Sequence, residues 1–377
     1  MSTADEQEGK KVAEPRTGGI FGSRRTRAAI VVLAVATTVG GGYLIAEYRN
    51  PSGAPVAAVS GATPSGGTSS AAPAPALSAS ARPSAVPSIS SSGPAPAKPK
   101  PSTELAARPP VQGNWPGSAN TGVPSGTRLA TYTGPCTITK DRAVLSGKLI
   151  KCDALLIRAR DVTIRRSRIA GRLDTTEGTS QSFVLEDSEV DAGVYQGPAV
   201  GLTNMTIRRS NIHGGQANVL CYANCDIRDS WLHAPGLADG ADWHLNGFLA
   251  NSTHGNSSNV VLIHNTIECN TAQNSVGGGC SGNVSLFADF GPVSNVTVRG
   301  NLMGASPDIA YCVYGGSSEK KFSSGVRNIV FEDNVFRRGP NRKCGAFGPV
   351  TSFDTGLPGN RWSNNAWEDG TPIPASN

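Results

Sequence analysis

One octet, written with variations, recurs eight times through the C-terminal two thirds of the chain: VTIRRSRI, FVLEDSEV, MTIRRSNI, CDIRDSWL, VVLIHNTI, VTVRGNLM, IVFEDNVF and NRWSNNAW. The copies are centred on Ser167, Ser188, Ser210, Ser230, Asn265, Asn301, Asn334 and Asn365, at separations of 21, 22, 20, 35, 36, 33 and 31 residues. The residues three before and two after each centre are apolar, and the residue five before is apolar in every copy but the last. Such alternation predicts a strand ending near the centre, a corner at the Ser or Asn, and a second short strand beyond it. A repeat of this length in a chain with 45 Gly signals a stacked solenoid. No single coil buries its inward side chains alone, whereas coils stacked at about 4.8 Å form parallel sheets around a continuous apolar core. The predicted fold is therefore all-β, a single-stranded parallel β-helix with a polar Ser/Asn ladder at its corner. The wider spacing of the later coils predicts excursions at 235–242, 251–258 and 317–326. No amphipathic helix of sufficient length separates the strands, which argues against repeated βαβ units.

The first 110 residues obey different rules. Residues 28–46, AAIVVLAVATTVGGGYLIA, carry no charge and approach the ~20 residues needed to cross a bilayer as a helix. Arg24, Arg25 and Arg27 directly precede them, so the positive-inside rule predicts a cytoplasmic leader at 1–27 and export of everything that follows. A cleaved secretory signal is the competing reading, and it exports the same remainder. Residues 47–110 are rich in Pro, Ala, Ser and Gly and nearly empty of large apolar residues. Such a segment cannot bury enough surface to offset ordering, and it reads as a semi-extended stalk. The expected organisation is leader, membrane span at 28–46, linker at 47–110 and a β-helix domain at 111–377, held at the cell membrane with the domain outside.

Charge and cysteine content narrow the function. From Val111 onward there are 23 Lys and Arg against 22 Asp and Glu, so the domain lacks the basic excess that nucleic-acid binding requires. All eight Cys lie in the exported part, where disulfides form, and no tight Cys/His spacing suggests zinc. Sequence neighbourhood suggests Cys136 with Cys152, Cys221 with Cys225, Cys269 with Cys280 and Cys312 with Cys344. No nucleophilic Ser signature, phosphate-binding Gly loop or redox Cys pair is present.

DWHLNGFLA, NVVLIHNTI and SLFADFGPVSNVTVRGN carry a resemblance to a known superfamily. Across residues 113–367 the chain resembles the right-handed parallel β-helix, or pectate-lyase-like, superfamily. More narrowly, it is similar to secreted actinobacterial β-helix repeat proteins, mostly without an assigned activity, whose corresponding strand reads His, any residue, Asp, Gly, apolar, Gln. The resemblance implies a right-handed coil. This chain departs from that pattern at Asn246, which removes a charge and a general acid or base.

Outward positions are where chemistry resides on such a coil. The positions one and two before the corner give Arg166, Asp187, Arg209, Asp229 and Arg165, Glu186, Arg208, Arg228, expected as an exposed ion-pair ladder. Three after the corner, Asp191, His213, His233 and Glu268 are expected to stack on successive coils. All five His fall between 213 and 264. GLADGADWHLNG adds Asp239, Asp242, His244 and Asn246, with His244 and Asn246 on one side of a strand by period-two alternation.

Carboxylates, imidazoles and rings such as Trp243 or Tyr311 together suit a sugar polymer. The plainer alternative is that the His residues only cap a polar ladder. The catalytic candidates are His244, Asp242 and Asp239, with His213, His233, Asn246, Asp191, Tyr311 and Asp289 as substrate-binding candidates. Glycoside hydrolysis would need two carboxyl groups about 5 to 9.5 Å apart. A lyase would need a base and a cation from among Lys320, Lys321, Arg342 and Lys343, with Asp239, Asp242 and Asp289 as oxygen ligands for calcium. The expectation is a monomeric, membrane-tethered extracellular protein that binds and cleaves a polysaccharide by lyase-like or glycosidase-like chemistry, or else a non-catalytic glycan-binding or spacer protein of the cell envelope.

Overall fold

The computed structural model describes residues 113–175, 180–317 and 320–377; the expected leader, span at 28–46 and linker at 47–110 lie outside them. Among the described residues no helix is long and apolar enough to cross a membrane.

The repeat folds as coils of a parallel β-helix. On the first face nine strands, from Val144–Ser146 through Thr203–Arg208 to Arg361–Ser363, pair parallel in sequence order. Their register aligns the residues three before each corner, Ile164, Leu185, Ile207, Ile227, Leu262, Val298, Phe331 and Trp362. The second face consists of short strands directly after the corner, such as Asn211–His213 and Trp231–His233, and aligns Ile169, Val190, Ile212, Leu232, Ile267, Met303, Phe336 and Trp367. These two columns, nearly all of them fully buried, form the core that the apolar pattern predicts. The third face is built from Pro198–Gly201, Ala217–Leu220, His244–Ala250, Gly279–Leu286, Tyr311–Gly315 and Gly348–Thr351, again parallel and in order.

The corners explain why Ser and Asn recur. The residue immediately before each centre adopts left-handed backbone: Arg166, Asp187, Arg209, Asp229, His264, Gly300, Asp333 and Asn364 have φ between 46° and 60°. That turn aims the next side chain inward, and all eight Ser and Asn centres are buried. Seven of the eight accept a main-chain N–H from the preceding coil, and Ser210 Oγ instead donates to the Leu185 carbonyl there at 3.5 Å. Ser230 N–H donates to Asn265 Oδ1 at 3.0 Å, Asn265 N–H to Asn301 at 2.9 Å, and Asn334 N–H to Asn365 at 3.1 Å.

A second ladder, not anticipated from the repeat, occupies the position six before the centre. Asn224, Asn259, Asn295 and Asn328 each donate through Nδ2 to the Oδ1 of the Asn one coil earlier, at 2.8 to 3.1 Å. These residues and Asn204 also have positive φ, which Asn tolerates better than most residues.

The ion-pair ladder forms only in part. Arg209 Nε donates to Asp187 Oδ1 at 2.7 Å, as alternation predicts. Arg208 and Arg228, however, stand side by side in register, and both turn to Asp226, at 2.6 and 2.7 Å. Asp226, two residues before Arg228 in the same strand, supplies the carboxylate to both. Four disulfides join the Cys pairs that neighbourhood suggested: Cys136–Cys152, Cys221–Cys225, Cys269–Cys280 and Cys312–Cys344.

Candidate functional site

The third face carries an open groove around His244. Between strands His244–Ala250 and Gly279–Leu286 the register slips at Leu245/Asn246, so Leu245 faces Cys280 but Asn246 faces Gly282. A bulge of this kind re-aims side chains. His244 is exposed and Asn246 is 3% exposed, yet both line one cavity of about 480 Å³ with Gln216, Asn251, Asp289, Tyr314 and Lys320. An adjoining cavity of about 320 Å³ shares His244, Ser281 and Tyr314 and continues past Asp308 to Phe347. His244 thus stands where the two meet.

Hydrogen bonding leaves specific atoms idle in this groove. The Asn246 amide donates to the His244 carbonyl at 3.3 Å, as does Gln216 Nε2, while Asn246 Oδ1 is buried with no partner. Asn251 Nδ2 donates to Asp289 Oδ2 at 2.9 Å, and its Oδ1 is likewise buried and unpartnered. Asp289 is also held by Lys320 Nζ at 3.0 Å. A buried acceptor without a donor costs free energy, so both oxygens, beneath the groove lining, are acceptors still wanting a donor.

A run of rings lies along the same groove and crosses three coils. Phe287 packs edge-on to Tyr314 with centroids 5.2 Å apart, Tyr314 to Tyr311 at 5.5 Å, and Tyr311 leans on Phe347 at 5.7 Å. Phe347 is 71% exposed, more than any other exposed large hydrophobic residue of the described structure. Burial, aided by Tyr311, raises the Tyr314 phenol above its ordinary pKa.

The His213 and His233 cluster belongs to a different column, the second face. Asp191, His213 and His233 are in register there, as the sequence predicts. His213 lies between Glu189 (3.2 Å) and Asp191 (3.5 Å), and Arg168 bridges the same two carboxylates. The hydrogen bond from His213 holds Glu189 below its usual range. His233 stacks on Trp231 at 3.5 Å, and its Nε2 donates to Asn211 Oδ1 at 2.8 Å. Burial, reinforced by His213, lowers the His233 pKa to about 4. Glu268 accepts from Trp231 Nε1 at 3.1 Å and pairs with Arg337. These groups satisfy one another, which is how a structural polar cluster behaves.

The sequence-predicted site residues therefore divide. His244, Asn246 and Asp289 are brought together, and Tyr311 flanks them through the ring run. Asp239 and Asp242 are exposed in the excursion before the His244 strand and line neither cavity. Asp191 lines a separate cavity of about 390 Å³ with Asp153, Arg172 and Tyr195. Beside it, burial pushes the Asp174 carboxyl up to about 7, although Arg172 Nε lies 2.8 Å away.

The calcium set does not assemble. Asp289 is committed to Lys320 and Asn251, and among the described residues no three His, Cys, Asp or Glu side chains converge to hold a metal. Of the cations weighed for a lyase, Lys320 is the one in the groove. Residues that sequence reasoning missed are Gln216, Asn251, Ser281, Phe287, Asp308, Tyr314 and Phe347. For Phe287, Tyr314 and Phe347 the available signal was a large ring on successive coils, whereas Gln216, Asn251, Ser281 and Asp308 stand at no common offset from the corners.

No protein-family model, no curated protein and no solved structure matches the chain.

Proposed function

We propose that the domain is an extracellular glycan-binding β-helix, tethered by the hydrophobic segment 28–46 and spaced from the membrane by the linker at 47–110. The observation that carries the reading is the ring run from Phe287 to Phe347 along an open groove lined by the polar side chains of Gln216, Asn246 and Asn251. Rings present flat apolar faces to sugars, and a few convergent polar atoms orient them. Coils repeat at about 4.8 Å, so the run follows the stack axis for about 10 Å and suits a chain lying along it. Four disulfides fit an oxidising compartment, in line with export. The winding is read as right-handed, the hand that parallel crossovers favour, within the pectate-lyase-like superfamily.

Binding is favoured over cleavage. Cleavage needs a proton-transfer pair, and of the groups lining the groove with His244, Asn246 does not ionise and Asp289 is paired with Lys320, which leaves Asp308 of the adjoining cavity as the remaining carboxylate. Incubating the full chain in mild detergent with a polysaccharide panel tests both points. Retention without new reducing ends or unsaturated-uronate absorbance is expected. New reducing ends that disappear in His244→Ala would assign hydrolysis, and absorbance alongside them would assign a lyase. Failure to retain any polysaccharide would reject the glycan reading.

A further inference from the structure

We infer that the groove selects a neutral, hydroxyl-rich glycan and rejects polyuronates; the inference rests on the glycan-binding reading above. The charge lining the groove points this way. Apart from His244 and the Tyr314 phenol, the ionisable acids and bases there are Asp289 and Asp308 against Lys320, two carboxylates for one ammonium. Lys320 is not available as a carboxylate receptor, because its Nζ sits 3.0 Å from Asp289 Oδ1 and Asn251 Nδ2 braces the other oxygen at 2.9 Å. The cations weighed alongside it, Lys321, Arg342 and Lys343, line neither cavity. A polyuronate would bring one negative charge per sugar into a groove whose surplus charge is already negative.

The idle atoms make the complementary case. Asn246 is 3% exposed, and the atom it leaves unpartnered is the carbonyl Oδ1, an acceptor that cannot donate. The unpartnered atom of Asn251 is also its Oδ1. Both oxygens are buried beneath the groove lining, so a ligand donor reaches them only as the side chains turn outward; a sugar hydroxyl is such a donor, whereas a uronate carboxylate brings only further acceptors. Tyr314 and Phe287 cover the apolar sugar face beside those acceptors. Two hydroxyls, one donating to each Asn oxygen, would satisfy groups that are otherwise a standing cost, the arrangement that gives polar sites their discrimination.

The test is affinity electrophoresis of the full chain in mild detergent through gels containing glucan, mannan, galactan or arabinan, and separately polygalacturonate or alginate, at low and at high salt. The expected result is retardation by a neutral polymer with little salt dependence. Asn246→Ala should weaken it about tenfold, the equivalent of one well-placed hydrogen bond. Should Asn246→Ala fail to fold, the less buried Asn251→Ala asks the same question. Asp289→Asn, which releases Lys320, should add a salt-sensitive retardation by polygalacturonate that the wild type lacks. Wild-type retardation by the polyuronates alone, abolished by salt and by Lys320→Ala, would overturn the inference while leaving the glycan reading intact. No retardation by any polymer would overturn both.

Discussion

Asn301 and Asn334 are joined twice through one oxygen: both the main-chain N–H and the side-chain Nδ2 of Asn301 donate to Asn334 Oδ1, each at 3.0 Å. Asn301 Nδ2 also donates to the Leu262 carbonyl of the preceding coil at 2.9 Å. A single buried amide thus ties three coils together. Asn301→Ala would strip the acceptor from Asn265 and the donor from Leu262 in a site without water access, at about 1–3 kcal/mol for each group left unsatisfied. Denaturant unfolding should show a loss of about 3 kcal/mol or more. A loss below about 1 kcal/mol would mean that the ladder is not what holds the corner.

The exposed ion pairs should behave in the opposite way. Arg209 and Asp187 make a short pair, but the arginine side chain is 46% exposed and the aspartate 25%. Solvent screening limits such pairs to about 0.2–1 kcal/mol. Arg209→Ala should therefore shift the unfolding midpoint slightly and leave glycan retention unchanged. Altered retention at unchanged stability would move the binding face to the corner.

Cys312 and Cys344 are both buried, and their bridge closes the chain across 32 residues between neighbouring coils. The chain-entropy model assigns about 3–4 kcal/mol to a loop of that size. Replacing both by Ala should lower thermal stability accordingly, and non-reducing peptide mapping of the wild type should recover the linked peptides. Free thiols at both positions would contradict the fold at that coil.

Two half-buried groups make stability depend on pH with opposite signs. His233 has its pKa lowered to about 4, so the folded state binds fewer protons than the unfolded state between there and the ordinary value of 6.5. Its stabilising contribution is present above 6.5 and is lost as pH falls toward 4. Asp174, raised to about 7 from 3.8, does the reverse: its contribution is present at low pH and is lost as pH rises toward 7. Thermal melts across this range should show His233→Gln removing the acid-side loss and Asp174→Asn removing the loss toward neutrality. Unchanged profiles in both variants would mean that neither side chain is buried as described.

How much of this was readable in the sequence follows from which parts of the coil keep a fixed spacing. The core columns and the Ser/Asn corner sit at constant offsets, so Ile207, Ser210 and Ile212 announce their roles directly. The outer ladder of Asn204, Asn224, Asn259, Asn295 and Asn328 is equally periodic, always six before the centre, and was there to be read.

The groove is different, because it lies on the face reached after loops of unequal length. The third-face strand begins 7 residues after Ser210, at Ala217, but 14 after Ser230, at His244, and 10 after Asn301, at Tyr311. No single frame aligns Gln216, His244, Ser281 and Tyr314, so their convergence emerged only from the folded chain. Asp239 and Asp242 were attractive because they are close to His244 in sequence, yet the excursion carries them out of the groove. His244 and Asn246, placed on one side of the strand by alternation, line one cavity, with the bulge at Leu245/Asn246 between them, His244 exposed and Asn246 buried.

The ring run that ends at Phe347 carries the central claim, and the most direct measurement compares glycan retention by the wild-type chain and Phe347→Ala. Phe347 is 71% exposed, so its removal should leave thermal stability within about 0.5 kcal/mol of wild type. Binding should weaken about tenfold, the loss of one stacking contact of roughly 1.4 kcal/mol. Undiminished retention in a stably folded Phe347→Ala chain would contradict the account and take the binding surface off this groove.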